Sequence, residues 1–324
     1  MIAGHDQSIA QFEDAWKAGT LHHAWLLAGT RGVGKATFAR AAATRVLADA
    51  AGPPARLPRL QTPEEHPTAR LIEARSHPDM RWLERLEHEK TGALARSITV
   101  NQVRGLAELF DLTPSMSPWR AVVIDAADDL EKSAANALLK MLEEPPANCL
   151  FLLVSHAPGR LLPTIRSRCR TLTFQTLGDD VMASVLETQQ PSMNAAERSR
   201  IIAKAGGSVG RAMAFATLDL AKLQDAATKI LRDGDPTNAR RSDLAIELGR
   251  KGAAERYAAF LDLVPSLIAG QARGLQGRAL ERALDAYDHS RELAALAPRL
   301  SLDPASTVFQ LGGILASIGA RPVP

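Results

Sequence analysis

The stretch AWLLAGTRGVGKAT, residues 24–37, decides the fold of this chain. It passes from an apolar run through a Gly-rich turn into an Ala-rich segment with helical spacing, which is the strand, loop and helix order of a phosphate-binding P-loop. Gly29, Gly34 and Lys35 match the pattern G-x-x-x-x-G-K-[ST]. The last position, which should supply a hydroxyl for Mg²⁺, is Ala36. The stretch therefore predicts a P-loop that has lost one functional residue.

The chemistry of a P-loop assigns a role to each matching residue. Backbone N–H groups of the turn hold phosphates, and the lysine neutralises their charge. We therefore predict a degenerate site for ATP or another anion, formed by Gly29, Gly32, Gly34, Lys35 and Thr37 together with Asp125 further along the chain. Thr37 does not replace the missing hydroxyl without a backbone shift, because it lies about 100° further round the helix. The alternative is that the glycines only form a tight turn from strand to helix.

A second apolar run, AVVID at 121–125, predicts a buried strand of a parallel sheet that ends in a carboxylate. In a working site Asp125 would hold Mg²⁺ through water. The following position, where many ATPases of this type carry a glutamate that activates water, is Ala126. The alternative role for Asp125 is to cap the turn after the strand. The losses at 36 and 126 together argue against ATP turnover by this chain.

Alternating strands and helices up to residue 175 predict a doubly wound α/β domain with a parallel sheet. A helix predicted at 132–144 is stopped by two prolines, and Asn101 is predicted to cap an earlier helix. Six prolines between 51 and 78 predict a long irregular surface insertion. The predicted strands are 24–28, 80–86, 97–100, 121–125, 149–155 and 171–174.

The remainder of the chain is predicted to be helical. Short helical segments interrupted by glycines and a proline extend to residue 217, and longer apolar stripes follow from 218 to 324. Asp303 with Pro304 after it predicts the start of the last helix. We therefore predict an α/β domain at 1–176, a small helical domain at 177–217 and a helical bundle at 218–324.

Composition narrows the classes of function. With 324 residues, 39 Lys and Arg against 36 Asp and Glu, and a net charge of +3, global charge gives no argument for nucleic-acid binding. Cys149 and Cys169 are the only cysteines, which is typical of a reducing compartment and too few for a Cys₄ zinc site. The histidines lack metal-ligand spacing, so no metal is predicted. We find neither a signal peptide nor eighteen consecutive apolar residues. We therefore expect a cytoplasmic protein that has no membrane partner.

The segment TIRSRCR at 164–170 is a third signal. Taken alone, a run of charges is usually a solvated surface. However, Ser167-Arg168-Cys169, together with the P-loop stretch and with SAANALLKMLEEPP after the second strand, closely resembles bacterial clamp-loader subunits of DNA polymerase III, those of the delta-prime type in particular. The resemblance is strong over residues 2–216 and rests on architecture alone beyond them.

The resemblance implies a AAA+ module, a lid domain and a collar domain that joins five subunits into a ring. The implied partners are gamma/tau-like ATPase subunits and a delta subunit, the sliding clamp, and primer-template DNA within the assembly. In that family the Ser-Arg-Cys motif lends its arginine to a neighbour's ATP, so Arg168 is the implied trans arginine finger, with Ser167 and Cys169 supporting it. Such a finger contributes about 10³ to 10⁵ in rate.

The chain also departs from active clamp-loader ATPases. In GGSVGRAM, residues 206–213, Gly210 stands where active relatives place an arginine that senses the γ-phosphate. With Ala36 and Ala126, this implies a non-hydrolysing stator that requires no cofactor. Delta-prime subunits often carry a Cys₄ zinc insertion, but no cysteine occurs in 49–96, so zinc is not expected. The alternatives are an ATP-hydrolysing gamma/tau-like subunit and an interaction protein that binds ATP without cleaving it.

Overall fold

The computed structural model describes residues 2–55, 57–87, 94–217 and 220–319. The chain divides into two compact units, Met1–Arg211 and Ala212–Pro324. Residues 177–211 group with the first unit. The predicted boundary at residue 218 lies outside the described residues. The division into three domains stays a prediction.

Five strands of the first unit form one sheet in which every pairing is parallel. The strand order is β2-β3-β4-β1-β5. The three inner strands are buried along nearly their whole length, which explains their continuous apolar runs. The predicted α/β class with a parallel sheet is confirmed. The strands are β1 (Ala24–Gly29), β2 (Met80–Glu84), β3 (Arg120–Asp125), β4 (Cys149–Ser155) and β5 (Arg170–Phe174).

Helices cover both faces of this sheet. One apolar cluster includes Phe12, Trp25 and Phe38, and the other includes Leu138 and Phe151. The helices of this part of the chain are α1 (Asp6–Lys17), α2 (Lys35–Ala51), α3 (Pro67–Glu73), α4 (Val100–Arg104), α5 (Leu106–Asp111), α6 (Lys132–Glu143), α7 (Pro163–Arg166), α8 (Asp179–Gln189), α9 (Ala195–Ala205) and α10 (Val209–Thr217).

The strand predicted at 97–100 is wrong. Ile98 forms only an isolated bridge with Leu130, and α4 starts at Val100. The predicted cap at Asn101 is also wrong, because Thr99 caps the helix. The Thr99 hydroxyl accepts from the Gln102 N–H at 3.4 Å, and the Gln102 side chain accepts from the Thr99 N–H at 3.0 Å. This reciprocal capping box starts the helix before a strand can extend.

The Pro-rich segment 51–78 is not simply a surface excursion. It contains α3, and Leu60 within it is 1% exposed. The buried Arg45 of α2 donates hydrogen bonds to the carbonyl oxygens of Leu57 at 2.6 Å and of Gln61 at 3.1 Å. Arg45 also pairs with Asp49 at 2.7 Å. The segment is therefore anchored to α2 by a buried polar network.

Five further helices follow in the described residues 220–319, within the second unit. They are α11 (Leu220–Asp233), α12 (Ala239–Leu248), α13 (Ala254–Ala272), α14 (Gly277–Leu300) and α15 (Pro304–Gly319). The predicted start of the last helix is confirmed, with the Asp303 carboxylate accepting from the Ser306 N–H at 2.8 Å. None of the helices among the described residues combines the length and apolar character needed to cross a bilayer.

Candidate functional site

The glycines of the P-loop stretch lie at the last residue of β1 and in the loop after it, at the carboxyl edge of the sheet, and have positive φ angles. These are 156° at Gly29, 78° at Gly32 and 104° at Gly34. A Cβ atom at Gly29 would lie 2.2 Å from the Phe174 carbonyl oxygen, and one at Gly32 would lie 2.4 Å from the Ser208 hydroxyl. Glycine is therefore required at 29 and 32 both by backbone conformation and by close neighbours.

The Lys35 side chain turns back onto the loop that precedes it. It is 2% exposed, and its Nζ donates to the carbonyl oxygens of Gly29 at 2.7 Å and Thr30 at 2.5 Å. Burial lowers the pKa of Lys35 to about 8, against the opposing effect of the carboxylates of Asp128 and Asp125. The ammonium group thus has two carbonyl partners within its own loop.

The next three carbonyls of the loop also have partners in this chain. Their donors come from the segment 208–210 and from the residue before α1. A Cβ atom on Gly210 would lie 2.9 Å from the Cα of Gly32, so the segment approaches the loop as closely as backbones allow. The Ser208 hydroxyl donates to the Arg31 oxygen at 3.0 Å, the Gly210 N–H to the Gly32 oxygen at 2.9 Å, and His5 Nε2 to the Val33 oxygen at 2.7 Å.

All five consecutive carbonyl groups of residues 29–33 are thus hydrogen-bonded within the chain. We call these five interactions the loop latch. Three different parts of the chain supply the donors: the start of α2, the segment 208–210 and the residue preceding α1. The latch restrains the loop at each residue from 29 to 33. A loop held in this way does not rearrange without breaking partly buried hydrogen bonds.

The positions that would serve Mg²⁺ and water lie at the same edge of the sheet. Asp125 ends β3 and is half-buried, and burial together with the charge of Glu84 raises the pKa of its carboxyl group. Ala126 after it is buried, Ala36 is half-buried and Thr37 is exposed. Neither alanine offers a group that can bind a metal or activate water.

A second carboxylate at this edge organises the loop after β4. Asp128 accepts from the Ser155 hydroxyl at 2.9 Å and from the backbone N–H groups of His156 at 2.6 Å and Ala157 at 3.2 Å. Burial lowers the pKa of His156 to about 4, so its ring is neutral at pH 7. Within the described ranges, no group of three or more His, Cys, Asp or Glu side chains is arranged to hold a metal ion.

The Ser-Arg-Cys motif lies at the opposite edge of the sheet. It follows α7 and leads directly into β5, whose Arg170 is in register with Trp25 and whose Phe174 is in register with Gly29. The motif therefore lies at the amino ends of the strands, whereas the P-loop lies at their carboxyl ends. The four strand residues that follow Arg170 correspond to about 13 Å of β-strand, which separates Arg168 from the loop of its own chain.

The three residues of the motif are held in different ways. The Arg168 Nη1 donates to the Thr164 carbonyl oxygen at 2.9 Å, and its Nη2 pairs with Glu143 Oε1 at 2.7 Å. The Ser167 hydroxyl donates to the same Thr164 oxygen at 3.1 Å. Cys169 packs against the apolar cluster that includes Leu138 and Phe151. Burial raises the pKa of its thiol to about 12. Arg168 keeps 34% of its side chain exposed, so it remains accessible.

The structure thus brings the predicted site residues together as two groups. Gly29, Gly32, Gly34, Lys35, Thr37 and Asp125 lie at the carboxyl edge, and Ser167, Arg168 and Cys169 at the amino edge. Sequence reasoning missed the partners of both groups: His5, Ser208 and Asp128 for the first, and Glu143 for the second. His5 and Ser208 are far from the loop in sequence and carry no local signal. Glu143 was visible as an acidic residue at a helix end, where carboxylates are disfavoured.

The parallel sheet, the strand order and the Gly-rich loop between β1 and α2 define an α/β domain of the P-loop type, with Ala36 at the hydroxyl position of the motif. Its family is identified by comparison with known proteins. A family model described as "DNA polymerase III, delta subunit" matches residues 4–178, more than half of the chain. The chain belongs to this family.

Individual relatives agree with the family assignment. The chain is 35% identical over 189 residues to the DNA polymerase III subunit delta' of Pseudomonas aeruginosa, a match that covers 57% of this chain and 53% of the relative. It is 32% identical over 199 residues to the subunit delta' of Bacillus subtilis, covering 61% and 55%. It is 29% identical over 189 residues to the subunit gamma of Buchnera aphidicola, covering 57% and 47%. The matches span about half the length of these curated relatives.

Proposed function

We propose that this chain is a delta-prime-type subunit of a bacterial DNA polymerase III clamp loader. In this proposal it does not hydrolyse ATP, and it supplies Arg168 as an arginine finger to the ATP site of a neighbouring subunit. The observation that carries the first half of the proposal is that the Lys35 ammonium group, which would contact phosphate in a working site, instead donates to the carbonyl oxygens of Gly29 and Thr30. Ala36 and Ala126 support the same conclusion, since they lack the hydroxyl and the carboxylate that turnover needs.

The second half of the proposal is supported by the position of Arg168. A strand length separates it from the P-loop of its own chain, so it is unsuited to act on a nucleotide there. Its guanidinium group is held at one side by Thr164 and Glu143 and is partly exposed at the other. A fixed, accessible arginine at the edge of a domain suits stabilisation of charge on a phosphoryl group that another subunit binds.

The proposed setting is a cytoplasmic ring of five subunits that contains gamma/tau-like ATPases and a delta subunit. In this proposal the helical second unit acts as the collar that joins the ring, and the assembly places the sliding clamp on primer-template DNA. Contact with DNA is expected only within the ring, through helix N-termini and basic side chains that meet phosphates. The chain requires no cofactor of its own. Binding of ATP or another anion at the degenerate loop is compatible with this proposal but is not needed for it.

Hydrolysis and binding assays on the purified chain test the first half. We expect ATP turnover no higher than that of a buffer blank, with and without Mg²⁺. Calorimetry with ATP and Mg²⁺ then separates a stator from a protein that binds nucleotide without cleaving it, because a stator gives no heat of binding. Turnover that disappears in a Lys35→Ala variant would contradict the proposal.

The competing function is an ATP-hydrolysing gamma/tau-like subunit of the same loader. Two observations favour it: the chain retains Gly29, Gly34 and Lys35, and it is similar to a gamma subunit. An active subunit must release Lys35 from the loop carbonyls so that the ammonium group can contact phosphate. Because an isolated subunit lacks the arginine finger of a neighbour, the two functions are decided by ATP turnover of a reconstituted ring in which this chain alone has an unaltered P-loop.

A further inference from the structure

We propose that Glu143 is the positioning residue for Arg168: its carboxylate fixes the direction in which the guanidinium group leaves the domain. This inference rests on the proposed function, because it concerns the arginine that the proposal assigns to a neighbour's ATP. Glu143 acts through Arg168 and has no contact with the nucleotide.

The geometry around Arg168 supplies the first argument. Two of the five N–H donors of the guanidinium group are engaged on one side, Nη1 by the Thr164 carbonyl at 2.9 Å and Nη2 by Glu143 Oε1 at 2.7 Å. The Thr164 contact is local, because it lies only four residues away in sequence. The Glu143 contact is the one that ties the side chain to a different helix, α6. The contacts with Thr164 and Glu143, which lie on separate helices, together fix the orientation of the guanidinium group. Either contact alone would leave the group free to rotate.

The position of Glu143 in α6 supplies the second argument. It is the last residue of the helix, and Glu144 follows it as the C-cap. Carboxylates at a helix C-terminus interact unfavourably with the helix dipole, and cations are the favourable choice there. A sequence optimised only for the helix would not place a carboxylate here. The ion pair with Arg168 accounts for a carboxylate at this end of the helix. A functional contact here overrides the preference of the helix C-terminus for cations.

The support beneath this helix end is rigid, which a positioning residue requires. Leu142 is 2% exposed and belongs to the same apolar cluster as Ile165 of α7, which is 1% exposed. The Leu142 carbonyl, one of the unpaired groups at the end of a helix, accepts from His23 Nε2 at 3.1 Å just before β1. The end of α6 and the start of the motif are thus packed on one core and attached to one sheet.

The test uses a reconstituted loader in which only the subunit that receives Arg168 has a functional P-loop. ATP turnover by this ring then reports on one site. The variants are Glu143→Gln, which keeps shape and removes charge, and Glu143→Asp, which keeps charge and shortens the side chain. The matched control is Glu144→Gln, which removes the same charge at the same helix end. Arg168→Ala and the Arg168→Ala, Glu143→Gln double variant complete a double-mutant cycle. Assembly of each ring is checked by size-exclusion chromatography.

We expect Glu143→Gln to lower kcat by about 5-fold to 100-fold, the range that a misplaced catalytic group causes, while the KM for ATP stays constant. KM stays constant because the neighbour binds the nucleotide. Glu143→Asp should retain more kcat than Glu143→Gln, Glu144→Gln should match wild type, and the double variant should be no slower than Arg168→Ala alone.

The inference and the proposed function fail in different ways. If Arg168→Ala lowers kcat but Glu143→Gln behaves like Glu144→Gln, the finger stands and the positioning role is overturned. The same holds if Glu143→Gln raises kcat, or if it slows the Arg168→Ala ring further. If Arg168→Ala itself leaves kcat unchanged, the proposed function fails, and the positioning role with it.

Discussion

Replacing Gly210 with alanine tests the loop latch directly. Gly210 lies in the first turn of α10, where helix propensity alone favours alanine over glycine. The structure predicts the opposite outcome. The new Cβ would lie 2.9 Å from the Cα of Gly32 and 3.6 Å from its carbonyl oxygen, and these are backbone atoms that cannot rotate away. The two segments must separate, which lengthens or breaks the hydrogen bond from the Gly210 N–H.

The magnitude follows from three contributions. Inserting a methyl group into a packed backbone contact costs about 1–3 kcal/mol. Loss of the Gly210 hydrogen bond adds about 1 kcal/mol, and the gain in helix propensity offsets about 0.5–1 kcal/mol. The net destabilisation is therefore about 2 kcal/mol. For a unit of 211 residues, this corresponds to a fall in Tm of roughly 4–8 °C.

The assay is thermal denaturation of the full chain, followed by circular dichroism. The matched control is Gly105→Ala, because Gly105 is exposed, has helical angles of φ −60° and ψ −15°, and has no neighbour closer than 3.4 Å to an added Cβ. The control should raise stability by up to about 1 kcal/mol. If Gly210→Ala melts at or above the wild-type temperature, the close approach of 208–210 to the P-loop is refuted.

Two further predictions concern stability. Asp79 is 3% exposed and accepts from the N–H groups of Ser115, Met116 and Ser117 at 2.7 to 3.1 Å. Asp79→Ala should therefore lower the free energy of unfolding by about 2–4 kcal/mol, measured by urea denaturation. Asp14→Ala, which removes an exposed carboxylate, should change it little. The pKa of Asp125 is raised above its ordinary value of 3.8 by burial, so its contribution to stability is present below that value and is lost as pH rises through the raised pKa. Asp125→Asn should therefore be more stable than wild type at pH 7, with the difference vanishing below about pH 4; a difference independent of pH would contradict this.

The elements that were predictable from sequence are those determined by local pattern. The P-loop stretch gave β1 and α2 because a strand, a glycine turn and a helix follow one another within fourteen residues. The strand at 149–155 has the predicted bounds because seven consecutive residues are apolar or small and all are buried. The helix ending before Pro145 was predictable because proline cannot continue a helix.

The elements that were not predictable depend on contacts between distant parts of the chain. The backbones of Gly32 and Gly210 are in contact although 178 positions separate them in sequence. No local pattern indicates that position 210 must be glycine for this contact to form. The pairing of Arg168 with Glu143 requires the ends of two helices to meet on one cluster. The helix start near residue 99 is different, because the capping box of Thr99 and Gln102 is a local pattern that the sequence itself contains.

In the proposed function, Arg168 works on the ATP of another subunit. The most direct measurement of this role is kcat of a reconstituted loader in which only the receiving subunit has a functional P-loop, comparing wild type with Arg168→Ala. Arg166→Ala serves as the control, because it removes an exposed arginine from the same segment. We predict that Arg168→Ala lowers kcat by about 10³-fold to 10⁵-fold with ring assembly intact, and that Arg166→Ala leaves it unchanged. Equal turnover by the Arg168→Ala and wild-type rings would contradict the claim.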